Sequence, residues 1–147
     1  REGKTFDEMD RILNKESGIL GIAGESGDMR DALAAADAGN ERAKLAIEMY
    51  VYRVQKAIGS YYAAMTRTDA VVMTAGIGEN SAELRELIFA GLAHMGMILD
   101  KERNQVEGAI GMNRIISIDD SPIKICVVTA DEEIRIARET DSLVSQL

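Results

Sequence analysis

The sequence predicts an α/β fold, on the basis of two patterns along the chain. Short runs rich in β-branched residues, at 69–74, 115–118 and 123–128, are typical of strands, and the stretches before, between and after them place apolar residues at helical spacing. Strands that alternate with helices favour a layered α/β architecture. The chain has 147 residues, which is enough for one compact domain or for one lobe of a larger protein.

The first predicted helix has four apolar residues at helical spacing, and it is expected to stop at Gly18. These residues are Phe6, Met9, Ile12 and Leu13. A short apolar stretch at 19–22 follows, and after it comes a loop of small residues at 23–27.

Two further helices are predicted before residue 66. Asp28 or Ser26 is expected to cap the second helix, and Gly39-Asn40 to end it. The third and longest helix runs from Glu41 to about Met65 without Pro or an early Gly. Its apolar face comprises Ala46, Tyr50, Val54, Ala57, Ile58 and Tyr61. A face of this length predicts packing along a sheet or a partner subunit.

A strand, a glycine-rich segment and a helix then follow one another. Asp69–Thr74 is predicted to be a buried strand, and Ala75–Asn80 to be a glycine-rich loop. Asn80 and Glu83 have the spacing of a capping box, which predicts that the next helix begins here. That helix is expected to place on one side Leu84, Leu87, Ile88, Gly91, Leu92 and Met95.

Two strands and a last helix complete the predicted elements. The strands at 115–118 and 123–128 flank a stretch, 119–122, whose residue types are those of a turn. The last helix is expected to start near Asp131 and to carry Ile134, Ala137 and Leu143.

Composition excludes several classes of protein. The formal net charge is −8, and because nucleic acids and anionic membrane surfaces reward clustered cations, we expect neither as a partner. No apolar run approaches the ~20 residues that span a bilayer. Cys126 is the only cysteine, so no internal disulfide forms and a cytoplasmic location is expected. Since the chain opens with Arg1 and without a targeting segment, we expect a fragment of a longer protein.

The glycine-rich segment is the first candidate binding site. Gly76 and Gly78 allow backbone angles that a Cβ would forbid, and they let main chain approach a ligand closely. The helix that follows directs its free N–H groups and positive dipole end at the segment, which favours an anion. The alternative is a tight turn without a ligand. The segment is not a Walker-type phosphate loop, because no Gly-Lys-Ser/Thr follows. It also lacks the third glycine of a dinucleotide-binding fingerprint.

Two other segments are candidates for ligand contacts. Asp28 and Arg30 lie where a loop becomes a helix, and the alternative is a helix cap with a solvated arginine. The segment Thr129–Glu133 follows a predicted strand, where carboxylates often hold Mg²⁺ bound to a substrate phosphate. Thr129 and Glu132 also have capping-box spacing, so Glu132 either directs a metal or closes a helix start.

The remaining reactive side chains predict no further site. His94 is the only histidine and is expected at the surface or at its boundary, with no metal site. Cys126 is expected to be a small buried hydrophobe. Neither a Ser-His-Asp nor a Cys-His nucleophile set is found, which excludes the hydrolases built on them.

Three segments together resemble the acetate kinase family. Thr74–Ser81 is similar to the signature of that family, Ser17–Ile22 with Asp28–Arg30 to the preceding segment, and Glu132–Thr140 to the C-terminal motif. The resemblance covers essentially the whole chain in the family's order. It implies an actin-like ATPase (ribonuclease H-like) fold, with residues 1–147 as the C-terminal nucleotide-binding domain of a longer two-domain kinase.

The resemblance also implies an activity and a set of site residues. The activity is reversible phosphoryl transfer from ATP to acetate, giving acetyl phosphate and ADP, with Mg²⁺ or Mn²⁺. The residues that it places at the adenosine are Asp28, Met29 and Arg30. Those that it places around adenine, ribose and phosphates are Gly76, Ile77, Gly78, Glu79 and Asn80. Glu132 would direct the metal.

The chain departs from the family at two points. The family usually has Pro-Thr-Asn where this chain has Thr129-Ala130-Asp131, and Asp131 adds a negative charge beside Glu132. The family's catalytic residues are expected upstream, so no catalytic residue is expected in this chain, and the isolated chain is expected to be inactive.

The alternatives to acetate kinase are a propionate or butyrate kinase of the same family, or a non-catalytic nucleotide-binding or dimerisation module. A homodimer is expected.

Overall fold

The computed structural model describes residues 3–105, 113–130 and 132–145, apart from the side chain of Glu132. The chain divides into two compact units, Arg1–Met65 and Thr66–Leu147. The first is helical, and the second combines helices with a sheet. Among the described residues, no helix combines the length and apolar character needed to cross a membrane.

The described part of the first unit contains four helices. They are α1 (Phe6–Lys15), α2 (Gly18–Ala23), α3 (Met29–Asp37) and α4 (Glu41–Ala64). Thr5, Asp28 and Asn40 cap α1, α3 and α4 by accepting hydrogen bonds from first-turn N–H groups. The predicted first helix, the Asp28 cap and the long third helix are therefore confirmed.

The sequence predicts that the first helix stops at Gly18. In the structure Gly18 is instead the first residue of α2. The last turn of α1 is completed earlier, because the Glu16 N–H donates to the Arg11 carbonyl and the Ser17 hydroxyl donates to the Leu13 carbonyl.

The long helix α4 packs against α2 and α3 within the first unit. Its buried residues lie in its first half and are Ala43, Ala46 and Ile47. On the predicted apolar face, Ala57 is exposed and Tyr61 is 67% exposed. Inside this unit, α4 therefore packs on helices, and packing of its exposed half along a sheet or a partner subunit stays a prediction.

The described part of the second unit combines strands with helices. They are β1 (Ala70–Met73), α5 (Ala75–Asn80), α6 (Ala82–Ala90), a 3₁₀ turn (Ala93–Met95), α7 (Lys101–Asn104), β2 (Arg114–Ile115), β3 (Lys124–Val127) and α8 (Glu132–Val144). In the sheet order β1-β3-β2, β3 is parallel to β1 and antiparallel to β2. The predicted strands at 69–74 and 123–128 are therefore confirmed, whereas the predicted strand at 115–118 is displaced: β2 ends at Ile115, and Ser117 forms only an isolated bridge with Leu99.

One face of this sheet contributes to the core of the second unit. Among the described residues of the unit, the buried apolar ones are Leu84, Ile88, Phe89, Leu92, Met97, Ile116, Ile123, Ile125 and Val127. Cys126 pairs in register with Val72 and Ile115, each of which is 53% exposed. Burial alternates along β1, as in a strand with one covered face. The predictions that β1 and Cys126 are buried are therefore wrong, since Cys126 is only partly buried.

Candidate functional site

The glycine-rich segment that follows β1 is a short helix, α5, rather than the predicted loop. Neither Gly76 nor Gly78 has a positive φ, so the prediction that they adopt angles forbidden to other residues is wrong. The unusual angle lies one residue earlier, at Ala75, whose φ is 58°. Such an angle in a non-glycine residue costs about 1–3 kcal/mol and is often found at functional sites.

The two glycines of α5 have different surroundings. A Cβ at Gly78 would lie 3.1 Å from the carbonyl carbon of Met73 in β1, so Gly78 permits close packing of α5 on the strand. A Cβ at Gly76 would meet no atom within 4 Å. Gly78 is therefore a packing residue, whereas Gly76 presents bare main chain to open space, where a ligand can approach closely.

Glu79 connects α5 to the segment that follows β3. Its carboxylate accepts a hydrogen bond from the Ala130 N–H at 2.9 Å, and a longer one from the Thr74 hydroxyl at 3.4 Å. The neighbouring Thr129 N–H donates to the side-chain oxygen of Asn113 at 3.2 Å. The structure thus brings together two of the candidate segments, the glycine-rich segment and the stretch just before Glu132.

Asn80 stabilises α5 itself, and the next helix has a different cap. The side-chain amide of Asn80 donates to the Gly76 carbonyl at 2.9 Å. The cap of α6 is Ser81, whose hydroxyl accepts a hydrogen bond from the Leu84 N–H. The predicted capping box of Asn80 and Glu83 is therefore wrong by one position, because the Asn80 side chain is engaged inside α5.

Arg85 is a residue of this region that the sequence analysis missed. It is 2% exposed and lies on α6. One terminal nitrogen of its guanidinium donates to the carbonyls of Gly78 and Glu79, both at 2.9 Å. Burial, together with repulsion by Arg114, lowers the pKa of Arg85 to about 10, so it stays charged at neutral pH. The sequence feature that indicates a buried role for Arg85 is its position directly after Leu84, on an apolar helix face.

Asp28, Met29 and Arg30 lie in the first unit, at the start of α3. The Asp28 carboxylate caps the helix and pairs with the Arg30 guanidinium at 2.6 Å. Hydrogen bonds from the Arg30 side chain and then from its backbone N–H lower the pKa of Asp28 to about 2. Met29 is 5% exposed and belongs to the core of this unit, whereas the Arg30 side chain is 89% exposed.

The structure leaves the two readings of Glu132 open. Glu132 is the first residue of α8, and its side chain and Asp131 fall outside the described residues. Within the described ranges, no group of three His, Cys, Asp or Glu residues is arranged to hold a metal ion. His94 is exposed, as predicted.

Comparison with known proteins places these segments in a family. The sequence profile of the acetokinase family matches residues 1–138. The chain belongs to the acetokinase family. It is 46% identical over 146 residues to acetate kinase of Natranaerobius thermophilus, a match that covers 99% of this chain and 36% of that protein. This acetokinase chain therefore spans about a third of the length of the curated relatives it matches.

Solved structures show the same fold as this acetokinase chain. The crystal structure of Porphyromonas gingivalis acetate kinase superposes with a TM-score of 0.85 at 40% identity, covering 97% of this chain and 35% of that one. A propionate kinase from Francisella tularensis gives a TM-score of 0.81 at 39% identity, covering 93% and 34%. The expected α/β fold of the actin-like ATPase class is thereby confirmed.

Proposed function

We propose that this chain is the C-terminal, ATP-binding domain of an enzyme that reversibly transfers a phosphoryl group between ATP and acetate, forming ADP and acetyl phosphate. Membership of the acetokinase family and relatives named acetate kinase support the proposal. The structural observation that carries it is the open space beside Gly76, on a helix that also packs tightly on β1 through Gly78. Bare main chain on a firmly held segment suits close approach by a nucleotide.

Each candidate residue has a role in this proposal. The residues that contact the adenosine part of the nucleotide are Asp28, Met29 and Arg30. Those that surround its base, ribose and phosphates belong to the segment Gly76, Ile77, Gly78, Glu79 and Asn80, in which Gly78 acts by packing the segment on β1. The Asp28 charge is already paired with Arg30, so we assign that pair to polar contacts with adenosine rather than to the phosphates.

The metal in this proposal enters on the nucleotide. Mg²⁺ keeps several waters and usually binds through one or two carboxylates together with substrate phosphates. MgATP, or MnATP, is therefore the species that binds in this proposal. Glu132 directs this ion, and Asp131 beside it adds a second negative charge.

The transfer step needs alignment and positive charge near the phosphoryl group rather than covalent chemistry. The residues that bind the acyl substrate and stabilise the transferring group lie, in this proposal, outside these 147 residues. The isolated chain then binds nucleotide without turnover. The whole protein is a cytoplasmic homodimer, for which the exposed side chains of α4, such as Tyr52 and Tyr61, offer interface area.

A second candidate is a kinase for propionate or butyrate. The similarity to a propionate kinase at 39% identity favours it. An apolar acyl pocket distinguishes one methylene by only about 1–3 kcal/mol, so preferences within the family differ by degree.

The test uses the intact protein that carries this chain. Formation of acyl phosphate from ATP is measured with acetate, propionate and butyrate, with and without Mg²⁺. The proposal predicts turnover that needs Mg²⁺ and a kcat/KM highest for acetate. A higher kcat/KM for propionate or butyrate would support the second candidate. ATP binding without turnover on any of the three would indicate a non-catalytic nucleotide-binding module, and absence of ATP binding would contradict the proposal.

A further inference from the structure

Arg85 is a buried cation, and among the residues that the structure describes its hydrogen bonds all go to uncharged groups. These described acceptors are the carbonyls of Gly78 and Glu79 and, on Asn104, the side-chain oxygen at 2.7 Å and the backbone carbonyl at 3.0 Å. Burying a guanidinium without a carboxylate partner is costly unless hydrogen bonds replace its hydration. A neutral side chain of similar size would avoid that cost, so the observed arrangement calls for another role.

The two carbonyls that Arg85 binds lie near the end of α5. The last carbonyls of a helix have no partner inside the helix and must be satisfied from outside. One guanidinium nitrogen satisfies two of them at once. Arg85 therefore holds the end of the glycine-rich segment in one position relative to α6.

Asn104 holds the guanidinium from the other side. It is 1% exposed and lies at the end of α7. Besides accepting from Arg85, its amide donates to the Ala82 carbonyl at 2.8 Å, in the first turn of α6. The Arg85 guanidinium thus joins the ends of α5 and α7, and Asn104 connects them to the start of α6. Because the planar guanidinium is hydrogen-bonded along both edges, its orientation is determined.

From this geometry we propose that Arg85 is a positioning residue for nucleotide binding, which holds main chain of the Gly76–Asn80 segment in the arrangement that binds ATP. The inference rests on the proposed function of that segment. Arg85 does not contact the nucleotide itself, since it is buried and its guanidinium is engaged by protein carbonyls on both edges. It acts through the segment that it holds.

The test compares Arg85→Lys and Arg85→Met with Ile88→Val in the intact protein. Lys can still donate to the two carbonyls but cannot reach Asn104 at the same time, and Met donates to neither. Ile88 is buried on the same helix one turn later, so its shortening weakens packing while the guanidinium of Arg85 stays in place. For each variant, KM for ATP, KM for acetate, ATP affinity by calorimetry and the thermal unfolding temperature are measured.

We expect KM and Kd for ATP to rise three- to tenfold in Arg85→Lys and more than tenfold in Arg85→Met, while KM for acetate stays within twofold. Ile88→Val is expected to lower the unfolding temperature and leave KM for ATP within twofold. If Arg85→Met does not fold, the Lys variant decides. A Lys variant with wild-type affinity for ATP, or a loss matched by Ile88→Val at equal destabilisation, would overturn the inference. Wild-type protein that binds no ATP would overturn the proposed function itself.

Discussion

The Glu79 carboxylate accepts a hydrogen bond from the backbone N–H of Ala130 at 2.9 Å, across 51 positions of sequence. Glu79 lies near the end of α5, and Ala130 lies two residues before α8 begins at Glu132. One carboxylate therefore connects the segment proposed to bind the nucleotide with the segment that leads to the proposed metal-directing residue.

Replacing Glu79 tests this connection. Glu79→Ala removes the acceptor, and we expect it to lower the free energy of unfolding by about 1 kcal/mol, the typical net value of one hydrogen bond. Glu79→Gln keeps a side-chain oxygen at the same place and is expected to lose less than half of that. Urea unfolding of the intact protein measures both. A Gln variant as unstable as the Ala variant would contradict the role of this oxygen as acceptor.

The open space at Gly76 predicts a binding defect without a folding defect. Gly76→Val is expected to raise the Kd for MgATP at least tenfold, because its side chain would occupy the space assigned to the nucleotide. Gly59→Val is the matched control, since Gly59 also lies in a helix and its Cβ would meet no atom within 4 Å. Calorimetric titration with MgATP compares the two variants. Equal affinities would show that the space beside Gly76 is not used by the ligand.

At Gly78, in contrast to Gly76, we expect a substitution to destabilise the fold. Gly78→Ala is expected to lower the free energy of unfolding by about 1–3 kcal/mol, because its Cβ would be forced against the Met73 backbone. Gly76→Ala, which adds the same methyl group in open space within the same helix, is expected to stabilise by about 0.5–1 kcal/mol. Chemical denaturation distinguishes them. If Gly78→Ala proves as stable as Gly76→Ala, the close packing of α5 on β1 is not required.

The pairing of Asp28 with Arg30 predicts a pH dependence. The pKa of Asp28 is lowered from 3.8 to about 2, so the folded state favours the ionised carboxylate. Its contribution to stability is fully present above pH ~4 and is lost as the pH falls through about 2. NMR titration of the Asp28 carboxyl is expected to give a midpoint near 2 in the wild type and closer to 3.8 in Arg30→Ala. A wild-type midpoint at 3.8 would contradict the pairing.

Features that depend on local chemistry could be predicted from the sequence. The Asp28 cap, the long helix from Glu41 and the turn between β2 and β3 each follow from residue types and spacings within a few positions. The positions of β1 and β3 were also predictable, because short β-branched runs rarely form helices alone.

Features that depend on contacts between distant residues could not be predicted. Residues 75–80 contain two glycines and read as a loop, but Arg85 satisfies the carbonyls at the end of α5, and Asn104, 19 positions further on, holds Arg85. The burial of the predicted strand Asp69–Thr74 was overestimated, because a run of apolar residues does not reveal whether one or both faces are covered. The sequence predicts Glu79 as a nucleotide contact. It does not predict that the Glu79 carboxylate also joins two segments of the second unit by accepting a hydrogen bond from Ala130.

The most direct test of the central claim is amide hydrogen exchange of residues 74–80 in the intact protein, with and without saturating MgATP. Binding of nucleotide against the bare main chain at Gly76 predicts that exchange in this segment slows at least tenfold, while exchange in an exposed helix such as α1 is unchanged. Exchange in residues 74–80 that stays the same although MgATP binds elsewhere in the protein would contradict the account.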